Sequence, residues 1–205
     1  MARKQRTILL TGFEPFDGAA ANPSQDIARA LDGRTIGGYR IVGAVLSCAF
    51  ATATPELRRL QRAVKPAVVI NLGLANGRSE ITPERVAINV DDARIPDNAG
   101  AQPVDRPIAR RGAPAYFSTL PVKAIVAALR ERKFPAGVSN SAGTFVCNHV
   151  FYELMRTLRR EPQVRGGFIH VPATPELAKP GEPSLPLATM IEAIALAVEV
   201  TARNR

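Results

Sequence analysis

Phe134-Pro135-Ala136-Gly137-Val138-Ser139-Asn140-Ser141-Ala142-Gly143-Thr144-Phe145-Val146-Cys147-Asn148-His149-Val150 passes from a short apolar run, through a turn of small residues, into a helical pattern. Residues 134–139 are read as a strand. Beyond the turn, Val150, Phe151, Leu154, Met155 and Leu158 recur at the spacing of one helical face. A strand, a turn and a helix in that order form the repeating unit of an α/β fold. The turn delivers Cys147 to a helix start, where unpaired N–H groups and the positive end of the helix dipole favour a thiolate. Free cysteines are also common as small buried hydrophobes, and this stretch alone leaves both readings open.

The chain has two histidines that could partner the thiol, His149 and His170. On a helix, His149 is rotated roughly 200° from Cys147, so it is read as a structural or surface residue. His170 lies in Gly166-Gly167-Phe168-Ile169-His170-Val171-Pro172, an apolar strand ended by proline. That places the imidazole near a strand's carboxyl end, the edge at which open α/β sheets build their sites.

Working outward, residues 7–13, 40–48 and 66–74 are further apolar, β-branched runs. Asn22-Pro23-Ser24 offers an N-cap with proline at the first helical position, and Thr54-Pro55-Glu56-Leu57 is read as opening a second helix. Residues 119–133 carry a helical face through Val122, Ile125, Val126 and Leu129, and residues 186–205 form an alanine-rich apolar helix. The alternation predicts an α/β fold, a three-layer α/β/α sandwich with a mostly parallel twisted sheet. At 205 residues with no linker-like segment, residues 1–205 are read as a single domain.

Composition narrows the function classes. The net charge of +9 invites a nucleic-acid reading, yet the basic residues are spread over several predicted helices and aromatics make up 5% of the chain. No stacking platform for bases is evident, so no specific nucleic-acid partner is expected and the basic surface is read as solvated. The two cysteines, Cys48 and Cys147, lack metal-ligand spacing. No segment reads as a signal peptide or a membrane span, so a cytoplasmic enzyme with a reduced thiol is expected. Gly77 lacks the glycine pattern and the lysine of a phosphate cradle.

Four stretches together resemble the pyroglutamyl peptidase I (pyrrolidone-carboxylate peptidase) family of cysteine peptidases. Thr11-Gly12-Phe13-Glu14-Pro15-Phe16 is similar to its N-terminal signature. Ile81-Thr82-Pro83-Glu84-Arg85-Val86-Ala87-Ile88-Asn89, with Asp92-Ala93-Arg94-Ile95-Pro96-Asp97-Asn98 after it, is similar to its glutamate segment. Ser139 to Asn148 resembles its cysteine segment, and Phe168-Ile169-His170-Val171-Pro172 its histidine segment. The chain departs from the family where relatives often carry glutamine and this sequence has Leu74.

The resemblance implies a Cys147–His170–Glu84 triad that removes an N-terminal pyroglutamyl residue through a thioester, without metal or organic cofactor. It places Arg94 near the site, to stabilise oxyanion charge or hold its loop, and Cys48 near the pocket. It also has Phe13 and Phe16 wall the pocket; a compact neutral lactam would fit an apolar pocket of Phe13, Phe16, Ile95, Phe145 and Val146, with Asn22 or backbone groups meeting its polar atoms. An unpaired lactam N–H or C=O in such a pocket would cost roughly 1–3 kcal/mol. Family members often assemble as tetramers. The breadth of the apolar surface on 186–205 points the same way, to a homo-oligomer, dimer or tetramer. Two other classes remain: a thiol amidase or esterase for another small acyl group, and a non-catalytic binding protein of the same fold.

Overall fold

Eight consecutive residues from Arg6 to Phe13 form the central strand β1, because six of them are buried and β-rich sequence flanks them on both sides of the sheet. The computed structural model describes residues 5–204. After β1 come α1 (Pro23–Leu31), β2 (Thr35–Ile36), β3 (Tyr39–Leu46), α2 (Phe50–Val64), β4 (Val68–Leu74), β5 (Thr82–Pro83) and β6 (Val86–Ile88). The chain continues through β7 (Ala115–Phe117), α3 (Val122–Glu131), α4 (Val146–Leu158), β8 (Arg165–Val171) and α5 (Leu187–Arg203).

The main sheet runs β2-β3-β1-β4-β8-β5. β3, β1, β4 and β8 are parallel, and the two short edge strands β2 and β5 are antiparallel. Alternate residues feed two cores. Ile8, Leu10, Ile70, Leu72 and Ile169 pack with α1, α3 and α5, while Leu9, Phe13, Val69 and Phe168 pack with α2 and α4. Two helical layers therefore sandwich a mostly parallel sheet, as the alternation of runs predicts. β6 and β7 form a separate antiparallel pair.

Three local expectations are corrected. α2 begins at Phe50 rather than at Thr54, and Pro55 lies inside it. Its N-cap, Ala49, provides no side-chain acceptor; Asp97 does so from a distant loop, its Oδ2 accepting from Phe50 N at 2.8 Å. A cap 47 residues away leaves no local start signal, whereas Thr-Pro-Glu supplies a misleading one.

Residues 134–139 form no strand of their own. Isolated parallel bridges, Ile81 to Ala136 and Glu84 to Ser139, hold this segment beside β5. Pro135 and Gly137 limit regular pairing, yet the bridges fix Glu84 against the cysteine-bearing turn.

α5 finds most of its apolar cover within the chain. Met190, Ala193, Ile194, Ala197 and Val198 are buried, and Ile191, Leu196 and Val200 pack at the margin of the same core. The helix lies against α3, α1 and β2, so its breadth alone does not demand a second subunit.

Candidate active site

The carboxyl ends of β1, β4 and β8 bring Phe13, Gly73 and His170 to one edge of the sheet. In the register of the parallel strands, Gly73 lies opposite His170. Cys147 reaches this edge from the second residue of α4. A Cβ added at Gly73 would lie 2.8 Å from Cys147 Sγ and 2.8 Å from the Phe168 ring. Only a residue without a side chain lets the thiol lie against the sheet here.

Glu84 enters from the neighbouring edge. Fully buried, it accepts from His170 Nδ1 at 2.8 Å through Oε1. The same oxygen accepts from Arg78 Nη1 at 2.8 Å. Arg78 also donates to Thr82 Oγ1 at 2.6 Å and, through Nη2, to the Ser141 carbonyl at 3.0 Å. One guanidinium thus joins the carboxylate to the turn that leads to Cys147.

Burial pushes Glu84 up, but the hydrogen bonds from His170 and Arg78 together with the charge of His170 outweigh it and hold the carboxyl below its usual range. His170 is lowered, chiefly by burial, with Glu84 opposing and Arg78 adding to the shift. The Cys147 thiol is raised by burial first, then by Cys48 and Glu84; Arg78 and its own backbone N–H only partly oppose them. The helix start favours the thiolate, as expected, but burial acts against it. An imidazole held by a carboxylate is the group positioned to take the thiol proton.

α4 starts at Val146 with Phe145 as its N-cap and no side-chain cap. By contrast α1 is capped by Asn22. An uncapped helix start leaves backbone donors for an oxyanion beside the thiol.

The aromatic residues converge as well. Phe145 is 5.9 Å from Phe16 and 5.4 Å from Phe50, ring centre to ring centre. Phe13 stacks at 6.3 Å on Phe168, which lies 4.7 Å from the His170 ring. Phe13, Phe16, Phe145 and Val146 belong to the apolar cluster that includes Cys147, whereas Ile95 and Asn22 lie outside it. Val146 is wholly buried, a core residue behind the thiol.

Asn22 is also wholly buried. Its Oδ1 accepts from Ser24 N at 3.1 Å and Ser24 Oγ at 2.8 Å, and its Nδ2 donates to the Glu14 carbonyl at 3.1 Å. With both lone pairs of Oδ1 engaged, the second Nδ2 hydrogen is what Asn22 has left for a lactam carbonyl. Arg94 is exposed, and its side chain has no hydrogen bond or ion pair among the described residues. Its loop is held by Asp97, Asn98 and Gln102 instead. The guanidinium in contact with the carboxylate is that of Arg78.

His149 points elsewhere, as its position on the helix predicts. Its Nδ1 lies 2.9 Å from Asp91 Oδ2, and its ring meets Phe50 edge-on at 5.6 Å. Cys48 is 2% exposed, and burial, Glu14 and Asp97 push its thiol up to about 12. The sequence reading missed Gly73, Arg78 and Phe50. A glycine interrupting the apolar strand 66–74 is the one signal that could have exposed the first; the other two depend on contacts made only in the fold.

A parallel α/β domain with a thiol, an imidazole and a buried carboxylate at its carboxyl edge defines a cysteine hydrolase. Residues 6–204 match the Peptidase_C15 family, pyroglutamyl peptidase, and the chain belongs to that family. It is 54% identical over 199 residues to the pyrrolidone-carboxylate peptidase of Klebsiella pneumoniae, covering 96% of this chain and 93% of that protein. It is 56% identical over 198 residues to that of Chromobacterium violaceum, covering 96% and 92%. The crystal structure of pyroglutamyl peptidase I from Bacillus amyloliquefaciens superposes with a TM-score of 0.95 at 43% identity, covering 98% of this chain and 96% of that one. Pyrrolidone carboxyl peptidase from Thermococcus litoralis superposes with a TM-score of 0.92 at 45% identity, covering 96% and 93%.

Proposed function

We propose that the chain, acting as one catalytic domain, removes N-terminal pyroglutamyl residues from peptides, with Cys147 as nucleophile, His170 as general base and acid, and Glu84 as the carboxylate that orients His170. The observation that carries this reading is the Glu84 Oε1 to His170 Nδ1 contact of 2.8 Å at the edge where Cys147 Sγ packs on Gly73. With Nδ1 engaged by Glu84, the lone pair of Nε2 is the one left to accept the thiol proton.

In the reaction, His170 takes the proton of Cys147 and the thiolate attacks the carbonyl that joins pyroglutamate to the next residue. Glu84 stabilises the imidazolium that forms. Backbone N–H groups at the start of α4 hold the oxyanion. Collapse of the intermediate breaks the C–N bond, with the imidazolium proton passing to the leaving amine, and leaves a thioester. His170 then activates water, which releases pyroglutamate and restores the thiol.

The lactam suits the aromatic wall of Phe13, Phe16 and Phe145, with Ile95 and Val146 as further pocket residues. Asn22 or backbone groups supply its hydrogen bonds. Arg94, exposed and unpaired among the described residues, is available to meet oxyanion charge or the site loop when a peptide binds. The thiol chemistry calls for a reducing setting, which supports a cytoplasmic enzyme. No helix is long and apolar enough to cross a membrane among the described residues. A homo-oligomer is part of this reading: Ile191, Leu196 and Val200 of α5 are only partly buried within the chain.

The test is release of a fluorogenic amine from a pyroglutamyl amide beside the prolyl analogue. Prolyl lacks the lactam carbonyl, so rapid cleavage of the first and little of the second is expected. Equal cleavage would favour a thiol amidase of other scope.

A further inference from the structure

The chemistry described above leaves the opposite edge of the sheet unused. A cavity of about 990 Å³ opens there, where β1 begins and where Pro66, Ala67 and Val164 lead into β4 and β8. Arg58, Arg62 and Lys65 of the α2 end line it. Arg58 and Thr157 also line a second cavity of about 370 Å³ with Arg156 and Arg160. Those two arginines continue into a third, of about 310 Å³, lined by Arg111, Arg159 and Tyr116. The shared walls make one groove. Residues that look scattered in the sequence are gathered where α2 and α4 pack side by side, running in the same direction.

The groove is organised rather than merely basic. Glu153, 6% exposed, lies beneath it and pairs with both Arg58 and Arg156. It holds Arg156 through Nε at 2.8 Å and Nη2 at 3.0 Å, leaving other N–H groups of both guanidiniums for a ligand. Glu161 is the other carboxylate on its wall, so positive charge dominates. Arginine outnumbers lysine, and its planar fork suits phosphate oxygens. Tyr116 is the aromatic residue of the groove, but the Arg159 guanidinium lies 5.7 Å from its ring centre and Tyr152 packs at 4.9 Å. No open aromatic face is offered to a nucleobase.

We propose that this groove binds a linear chain of condensed phosphates, an inorganic polyphosphate, independently of the peptidase reaction. A groove continuous over three cavities fits a linear polyanion better than a single small anion. The length of β1, eight residues at about 3.3 Å each, separates the first cavity from the Cys147 edge, and the other two open beside the last turn of α4 rather than its Cys147 end. Occupancy therefore leaves peptide access open.

The test uses the full chain and an end-labelled polyphosphate followed by fluorescence anisotropy at about 0.15 M salt. Saturable binding is expected, competed by unlabelled polyphosphate but not by orthophosphate at equal phosphate concentration, and weakening steeply with salt. The double variant Arg62→Glu/Arg160→Glu changes two exposed side chains and should weaken binding about tenfold or more. Arg34→Glu/Lys123→Glu, the same charge change on another surface, should leave it near wild type, and hydrolysis of a pyroglutamyl amide should be unaltered in both. Absence of binding at this salt, equal weakening by the two double variants, or equal affinity for single-stranded RNA per phosphate would overturn the proposal.

Discussion

Arg78 and His170 share one acceptor: each lies 2.8 Å from Glu84 Oε1, one through Nη1 and the other through Nδ1. Through that oxygen, the carboxylate and the guanidinium act on His170 with opposite sign. Glu84 raises the pKa of His170 and Arg78 lowers it, while burial sets the net downward shift. Catalysis needs neutral His170, so activity should persist below pH 6.5 and fail as the imidazole protonates. Arg78→Met should move this acid limb to higher pH, and Glu84→Gln should move it to lower pH. Each should reduce kcat more than it changes KM, by about tenfold or more, equivalent to ~1.4 kcal/mol of transition-state stabilisation. The pH profile of kcat/KM checks both directions, and shifts of the same sign would remove the shared-acceptor explanation.

Gly73→Ala tests the approach of Cys147 to the sheet. The new Cβ would fall 2.8 Å from both Sγ and the Phe168 ring. Overpacking of this kind costs about 1–3 kcal/mol. Turnover should fall by about a hundredfold as the thiol is displaced from His170. Thermal unfolding and steady-state rates, measured together, separate displacement from global loss of structure.

The two histidines should behave differently. His170→Ala should abolish turnover. His149→Ala should change it by less than about tenfold, because His149 serves Asp91 and Phe50 rather than the thiol. Its cost should appear in stability, on the order of 1–3 kcal/mol for a largely buried carboxylate left unpaired. Denaturant unfolding checks that loss.

Stability should fall on the alkaline side. The Cys48 thiol moves from 9.0 to about 12 in the fold, through burial and then the Glu14 and Asp97 carboxylates. A folded pKa raised above the unfolded one contributes stability fully present below pH 9 and lost as the pH rises toward 12. Cys48→Ala should therefore flatten the decline of Tm between these limits relative to wild type.

The sequence made the layer order legible because strand and helix periods alternate cleanly, and it made Cys147, His170 and Glu84 legible because three motifs stand in one family's order. It did so less well where a contact comes from afar. Asp97 starts α2 across a long interval, so Phe50 was read as lying before the helix, and its place beside Phe145 and His149 went unseen. Arg78 reads as one more surface arginine until Thr82, Glu84 and Ser141 close around it. The helix dipole at Cys147 was legible too, but the burial that outweighs it was not.

The most direct measurement of the central claim is an acid quench during turnover of a slowly deacylated pyroglutamyl ester, followed by peptide mapping. One pyroglutamyl group is expected in thioester linkage on Cys147, none on Cys48, and no adduct in Cys147→Ser, which should fold normally and lose nearly all turnover. Acylation of Cys48, or full turnover in Cys147→Ser, would contradict it.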